Sequence, residues 1–120
     1  MRVRVSMEIQ EHITFLSPHP KRKLQVVVME ARDLVAADSG GTSDPFVVVQ
    51  VGGVQAVKTK VVKQTLCPHW NETLALRLLS DNNEPLKLQV YDHDQFGAND
   101  FLGEIVVALN IMEVGQVVEK

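Results

Sequence analysis

Carboxylates without basic neighbours are concentrated in the segment YDHDQFGAND, which runs from Tyr91 to Asp100. The segment contains Asp92, Asp94 and Asp100, and no Lys or Arg occurs from position 88 to position 119. Like charges at this spacing repel one another, and exposed loops usually relieve the repulsion with a nearby base. We therefore expect a bound cation to neutralise these carboxylates.

A second acidic loop, DSGGTSDP, supplies Asp38 and Asp44 and also lacks Lys and Arg. Side chains two residues apart in an extended strand point the same way, so Asp92 and Asp94 can face one point. The loop QFGAN can then return Asp100 toward them. If the two loops meet at one end of a β-sandwich, all five carboxylates converge.

The donor chemistry of this cluster indicates a hard cation, because carboxylate oxygens favour calcium or magnesium over softer metals. Magnesium prefers a near-ideal octahedron and keeps its waters, whereas a flexible cage built from two loops suits calcium. Two calcium ions need about 12–16 ligand positions, at roughly 6–8 each. Five carboxylates supply fewer oxygens than that, so backbone carbonyls, water or an external anion such as a lipid phosphate must complete the site.

The rest of the chain predicts the strands and turns that carry these loops. VRVSME alternates apolar and polar residues from Val3 to Glu8, and SPHPKRK, from Ser17 to Lys23, has the prolines of a linker or loop. TLALRLLS could be helical on propensity, but it is short and DNNEP ends it like a hairpin loop, so it predicts a strand. Short strands separated by turns are typical of an antiparallel sandwich or barrel.

Length and composition indicate one globular domain covering residues 1–120, with 45% apolar and 22% charged residues. Cys67 is the single cysteine and the N-terminus has no apolar signal segment, which together favour a reducing cytosolic setting. The net charge of −3, with basic residues in separate patches, makes nucleic acid a poor candidate partner.

Three segments, in order, resemble the C2 domain, the second conserved region of protein kinase C that is also found in synaptotagmins. ARDLVAADSGGTSDPFV is similar to its first calcium loop, KTKVVKQTLCPHWNETL to its lysine-bearing strand and Pro-x-Trp-Asn-Glu turn, and VYDHDQFGANDFLGE to its third calcium loop. The resemblance covers residues 23–119 and implies an all-β, eight-stranded antiparallel Greek-key sandwich. Residues 23–120 would form the C2 core, and residues 1–22 an N-terminal strand and linker.

The resemblance also implies a function, namely calcium-dependent docking of a larger parent protein to anionic phospholipid on the cytosolic face of a membrane. Phe96 would insert into the membrane, and Lys58 and Lys60, on one strand face, would contact a phosphoinositide headgroup. Two calcium ions would be held by five side chains and two backbone carbonyls: those of Asp38, Asp44, Asp92, Asp94 and Asp100, and the carbonyls of Ser39 and His93.

The chain departs from the family pattern at three places. Gly97 replaces a Ser or Thr that helps to hold an additional ion, which argues against a third calcium. Val48, Val49 and Gln50 follow the Asp-Pro-aromatic motif where phosphoinositide-binding members carry basic side chains. The family continues past Lys120 into a last strand, so we expect that either His12–Ser17 fills its place or the place is empty.

Two other classes of function fit the residues less well. A calcium-independent protein-interaction scaffold is the main alternative, but family members that ignore calcium have usually lost one or more of these aspartates. A metal-dependent hydrolase would need a general base apart from the cluster and a deep pocket, and the chain predicts neither. The sequence therefore predicts a binding module and not an enzyme.

Overall fold

The computed structural model of the protein describes residues 1–14, 17–36, 40–52, 55–78 and 85–119. These residues form two four-stranded antiparallel sheets, ordered β5-β2-β1-β8 and β4-β3-β6-β7. The predicted all-β antiparallel class is confirmed, although the last strand has only three residues. The elements are β1 (Arg2–Thr14), β2 (Ser17–Arg32), β3 (Pro45–Val51), β4 (Gln55–Lys58), β5 (His69–Leu78), β6 (Leu86–Asp92), β7 (Asp100–Val107), a short 3-10 helix (Leu109–Ile111) and β8 (Val117–Glu119).

The core lies between the two sheets because alternate residues of each strand are apolar. In β2, the side chains of Leu24, Val26 and Val28 are fully buried, as the alternation predicts. Leu88 of β6 lies in the same core cluster. Burying one such side chain is worth about 1.5–3 kcal/mol, so the repeated pattern stabilises both sheets against each other.

Trp70 ties the two sheets together at one end of the sandwich. It belongs to β5, is buried, and donates its indole N–H to the Pro45 carbonyl at the start of β3, with an N–O distance of 3.2 Å. The bond connects β5 of the first sheet to β3 of the second sheet. It lies at the end of the domain where Asp44 precedes β3. Trp70 therefore has a structural role at this end of the domain.

The predicted linker Ser17–Lys23 was wrong, because these residues begin β2 and pair with β1. The pairing is irregular here, since its register shifts between His12 and Thr14. The segment from position 18 to position 20, which contains both prolines, falls within that irregularity. Proline is tolerated at such bulges, so its presence did not exclude a strand.

The place beside β1 is occupied by β8, which pairs with residues 6–8 of β1. The expectation that His12–Ser17 fills this place was therefore wrong, because His12–Thr14 instead extends β1 and Ser17 begins β2.

The segment TLALRLLS lies in β5 up to Leu78, so its predicted strand is confirmed that far. No helix in the described part of the chain is long and apolar enough to cross a membrane.

Candidate functional site

Three loops extend from one end of the sandwich: loop 1 (residues 33–44), loop 2 (59–68) and loop 3 (93–99). Strand pairing aligns the ends of loops 1 and 3, because Pro45 pairs with Asp92 and Asp92 pairs with Asp100. Two further bonds hold these ends together. The Asp44 N–H donates to Asp92 Oδ1 at 2.7 Å, and the His93 N–H donates to the Asp44 carbonyl at 2.9 Å.

Asp44 also connects loop 2 to this arrangement. Its Oδ1 accepts the backbone N–H of Gln64 at 2.7 Å, and the neighbouring Thr65 N–H donates to the Ser43 carbonyl at 2.8 Å. Gln64 has a φ of 55°, in the left-handed region that is uncommon for residues other than glycine. No side-chain pattern in the sequence indicates Gln64, because its contribution comes from its backbone N–H.

Asp92 and Asp100 lie directly opposite each other on β6 and β7. Side chains paired in this way share a face of the sheet, and like charges directly opposite destabilise it. Asp92 is only 2% exposed. A buried carboxylate is costly unless it is paired or coordinates a metal, so this pair of strand ends is suited to a cation.

Asp94 shapes the tip of loop 3. Its Oδ1 accepts the Phe96 N–H at 2.9 Å, which is the local turn that aspartate favours, and its own N–H donates to Asn99 Oδ1 at 2.9 Å. The Phe96 side chain is 92% exposed instead of being tucked under its loop. The loop therefore presents an apolar ring to solvent beside the aspartates. Asn99 was not among the predicted site residues, although an amide in a short polar loop commonly forms such a bond.

The three aspartates that accept backbone N–H groups are held in a similar way. Asp44, Asp92 and Asp94 each accept one bond at Oδ1, and Oδ2 of each has no hydrogen-bond partner among the described residues. Within the ranges that the structure describes, no three acidic, histidine or cysteine side chains form a group that could hold a metal ion. Asp38 and Ser39, two of the predicted ligands, lie outside those ranges.

Lys58 and Lys60 are exposed on either side of Thr59, which is buried, so the predicted alternation of this segment is confirmed. Thr59 is held in place because its Oγ1 accepts the Val47 N–H at 2.9 Å. Lys58 pairs with Val48 of β3, an apolar residue. Lys58 therefore ends β4 of the second sheet with no cation directly opposite it, and Lys60 follows in loop 2.

A C2 domain family model matches residues 22–120. The chain belongs to the C2 domain family. Human RasGAP-activating-like protein 1 is 41% identical over 101 residues, which are 84% of this chain and 12% of that protein. Human synaptotagmin-2 is 36% identical over 102 residues, which are 82% of this chain and 24% of that protein. This C2 domain thus spans a small part of each of these relatives.

The fold of this C2 domain is also that of a solved relative. The crystal structure of a C2 domain of RIM from Drosophila superposes with a TM-score of 0.73 at 23% sequence identity. The superposition covers 99% of this chain and 98% of the RIM chain. C2 domains are binding modules and not catalysts, and calcium and membrane binding are typical of the family.

Proposed function

We propose that this C2 domain is a calcium-dependent phospholipid-binding module that docks a larger parent protein to the cytosolic face of a membrane. The observation that carries the proposal is the joining of Asp44 to both Asp92 and loop 2, with Asp100 opposite Asp92. This acidic end of the sandwich lies beside the exposed Phe96. A cation can bind the carboxylates at this end of the domain, and the exposed Phe96 ring can contact lipid beside it.

The residues present fit calcium, because they offer hard oxygen donors from several loops. We propose two ions, held by the ligand set of Asp38, Asp44, Asp92, Asp94 and Asp100 with the carbonyls of Ser39 and His93. A Cβ atom at position 97 would lie 3.3 Å from Asp94 Oδ2, yet this residue is Gly97 and supplies no hydroxyl there. The missing hydroxyl supports two ions over three.

Calcium would convert the electrostatic repulsion between the acidic loops and an anionic membrane into attraction. Without calcium, the carboxylates of the proposed ligand set would repel anionic headgroups. Bound calcium supplies positive charge and open coordination positions that headgroup phosphates can take. Because Asp94 holds the Phe96 N–H, the proposed metal ligands and the apolar tip belong to one loop, and ordering one part of the loop orders the other.

Lys58 at the end of β4 and Lys60 in loop 2 would contribute contacts to anionic lipid. Basic residues near an anionic leaflet gain about 1 kcal/mol each. Val48, opposite Lys58, leaves this patch with fewer cations than a full phosphoinositide site would have. We therefore propose that these lysines favour phosphoinositide-rich membranes but make a smaller contribution than calcium and Phe96.

Vesicle sedimentation with and without a calcium chelator tests the proposed function. We expect the domain to pellet with mixed phosphatidylcholine–phosphatidylserine vesicles in calcium and to stay in the supernatant with the chelator. Vesicles of phosphatidylcholine alone are the control for anionic lipid. Equal pelleting in both conditions would identify a calcium-independent lipid binder, and no pelleting in either would favour a protein-interaction scaffold.

Calcium should also raise the melting temperature of the isolated domain. A ligand that binds only the folded state stabilises it by about 2.7 kcal/mol at a hundredfold excess over its Kd, which corresponds to roughly 10 °C for a domain of this size. Magnesium at the same concentration should raise it much less, because the loop cage suits calcium. Thermal unfolding followed by circular dichroism measures both shifts, and equal shifts would indicate general charge screening.

A further inference from the structure

Two arginines face each other at the end of the first sheet that adjoins loop 1. Arg2 pairs directly with Arg32 in the β1–β2 ladder, and both residues are exposed. Their strand neighbours Val3 and Ala31 are buried, so the two arginines project from the outer face of the sheet. Like charges directly opposite on neighbouring strands destabilise a sheet, which makes this pairing unfavourable without an anion.

The surroundings of this pair leave an excess of positive charge. Arg4 pairs with Glu30, and the Glu30 carboxylate also lies 3.5 Å from Arg32 Nη2 and 3.1 Å from His69 Nδ1. Among the described residues, Arg2 and Arg4 form no salt bridge. At the end of β1 and β2 that adjoins loop 1, Glu30 and the exposed Asp33 supply two carboxylates against three arginines. We call Arg2, Arg4 and Arg32 the arginine cluster.

The arginine cluster lies at the same end of the domain as the proposed calcium loops. Strand β2 ends at Arg32, where loop 1 begins, and β5 begins at His69, directly after loop 2. Lys58 is the last residue of β4 in the other sheet and is exposed, and Lys60 follows it in loop 2. Cationic residues of both sheets therefore lie near the acidic loops.

We propose that the arginine cluster binds the phosphate of an anionic phospholipid headgroup in the membrane that the loops engage. The proposal rests on the proposed function, because calcium-bound loops must first bring this end of the domain to the membrane. The planar guanidinium group can donate two parallel hydrogen bonds to one phosphate. A phosphate between Arg2 and Arg32 removes their mutual repulsion. With cations on both sheets, the domain docks upright on its loops and does not lie on one sheet.

The test is a double variant, Arg2→Gln with Arg32→Gln, in sedimentation with phosphatidylcholine–phosphatidylserine vesicles at saturating calcium. We expect vesicle binding to weaken roughly ten- to thirtyfold, since each basic residue near an anionic leaflet is worth about 1 kcal/mol. Calcium binding without lipid should not change. The single variant Arg2→Gln, which removes a side chain with no salt bridge among the described residues, should lose about three- to fivefold on the same basis.

The matched control removes a second pair of cations from the same outer face. Lys23 and Arg77 also pair directly across neighbouring strands, but roughly 30 Å from loop 1 at about 3.3 Å per residue. Lys23→Gln with Arg77→Gln should leave vesicle binding nearly unchanged. In the absence of lipid, the Arg2 and Arg32 double variant should unfold close to the wild-type temperature, because the repulsion that it removes offsets the loss of the exposed Arg32–Glu30 ion pair.

Three outcomes would overturn the inference. An equal loss in both double variants would show an effect of net charge alone, and wild-type binding by the Arg2 and Arg32 double variant would exclude the arginine cluster. A fall in its melting temperature that matches the loss of binding would indicate a structural role. If the wild-type domain itself failed to bind vesicles in calcium, the proposed function would fail as well, so the two failures are distinguishable.

Discussion

Replacing Asp92 by Asn should abolish calcium binding at micromolar calcium while leaving the sandwich folded. Asp92 is buried and lies opposite Asp100, and its Oδ1 accepts the Asp44 N–H that joins loops 1 and 3. An Asn oxygen can still accept that bond, but the charge is lost from the proposed centre. Mutating a residue that only hydrogen-bonds to a metal ligand typically lowers metal affinity by about 10- to 100-fold. Removing the charge of a ligand itself should lower calcium affinity by at least as much. Isothermal titration calorimetry measures the loss.

The control for this variant is Asp33→Asn, which removes the same charge from loop 1 outside the proposed ligand set. Asp33 is exposed and has a φ of 57°, a conformation that Asn also tolerates well. We expect Asp33→Asn to bind calcium nearly as the wild type does. If Asp92→Asn kept wild-type affinity, or if both variants lost affinity equally, the aspartates would not form a specific calcium site.

Replacing Phe96 by Ala should weaken vesicle binding by about 10- to 100-fold at saturating calcium, because burying a phenylalanine is worth roughly 1.5–3 kcal/mol. Calcium affinity measured without lipid should stay nearly the same. Phe96 is 92% exposed, so its side chain contributes little to the fold in solution. Its backbone N–H, which donates to Asp94, is kept in the variant. Sedimentation at graded lipid concentrations gives the partition coefficient.

Two matched variants separate insertion from a general loss of apolar surface. Val106 is 56% exposed on β7, toward the end of the strand away from loop 3, and Val106→Ala should leave vesicle binding unchanged. Phe96→Leu keeps an apolar tip and should retain most of the binding. A loss in Val106→Ala as large as that in Phe96→Ala, or a fall in lipid-free calcium affinity in Phe96→Ala, would contradict insertion at the tip of loop 3.

The two predictions are linked through the backbone of loop 3. Asp94 accepts the Phe96 N–H and donates its own N–H to Asn99, so the turn that presents the ring is built on a proposed calcium ligand. A cation that orders Asp94 would therefore also order the tip. This coupling gives a physical reason for expecting lipid contact and calcium binding to strengthen each other, since a loop that is already ordered loses less entropy when it binds.

The fold class and the face that each strand buries follow from local patterns in the sequence. Strand faces such as Leu24, Val26 and Val28 follow from an alternation that short-range geometry imposes, and the structure buries all three. The spacing of the aspartates and the absence of nearby bases predicted an acidic end of the domain. The same spacing could not show which ions or lipids bind there, and those remain predictions.

Which segments meet is set by tertiary contacts. Arg2 pairs with Arg32, Pro45 pairs with Asp92, and the Gln64 N–H donates to Asp44, so each of these contacts joins residues at least 20 positions apart in the chain. Proline and basic residues locally favour a loop at Ser17–Lys23, but pairing with β1 outweighs that preference. Local patterns specify which face a side chain occupies, whereas strand partners and register are chosen by the packing of the whole core, which no short segment contains.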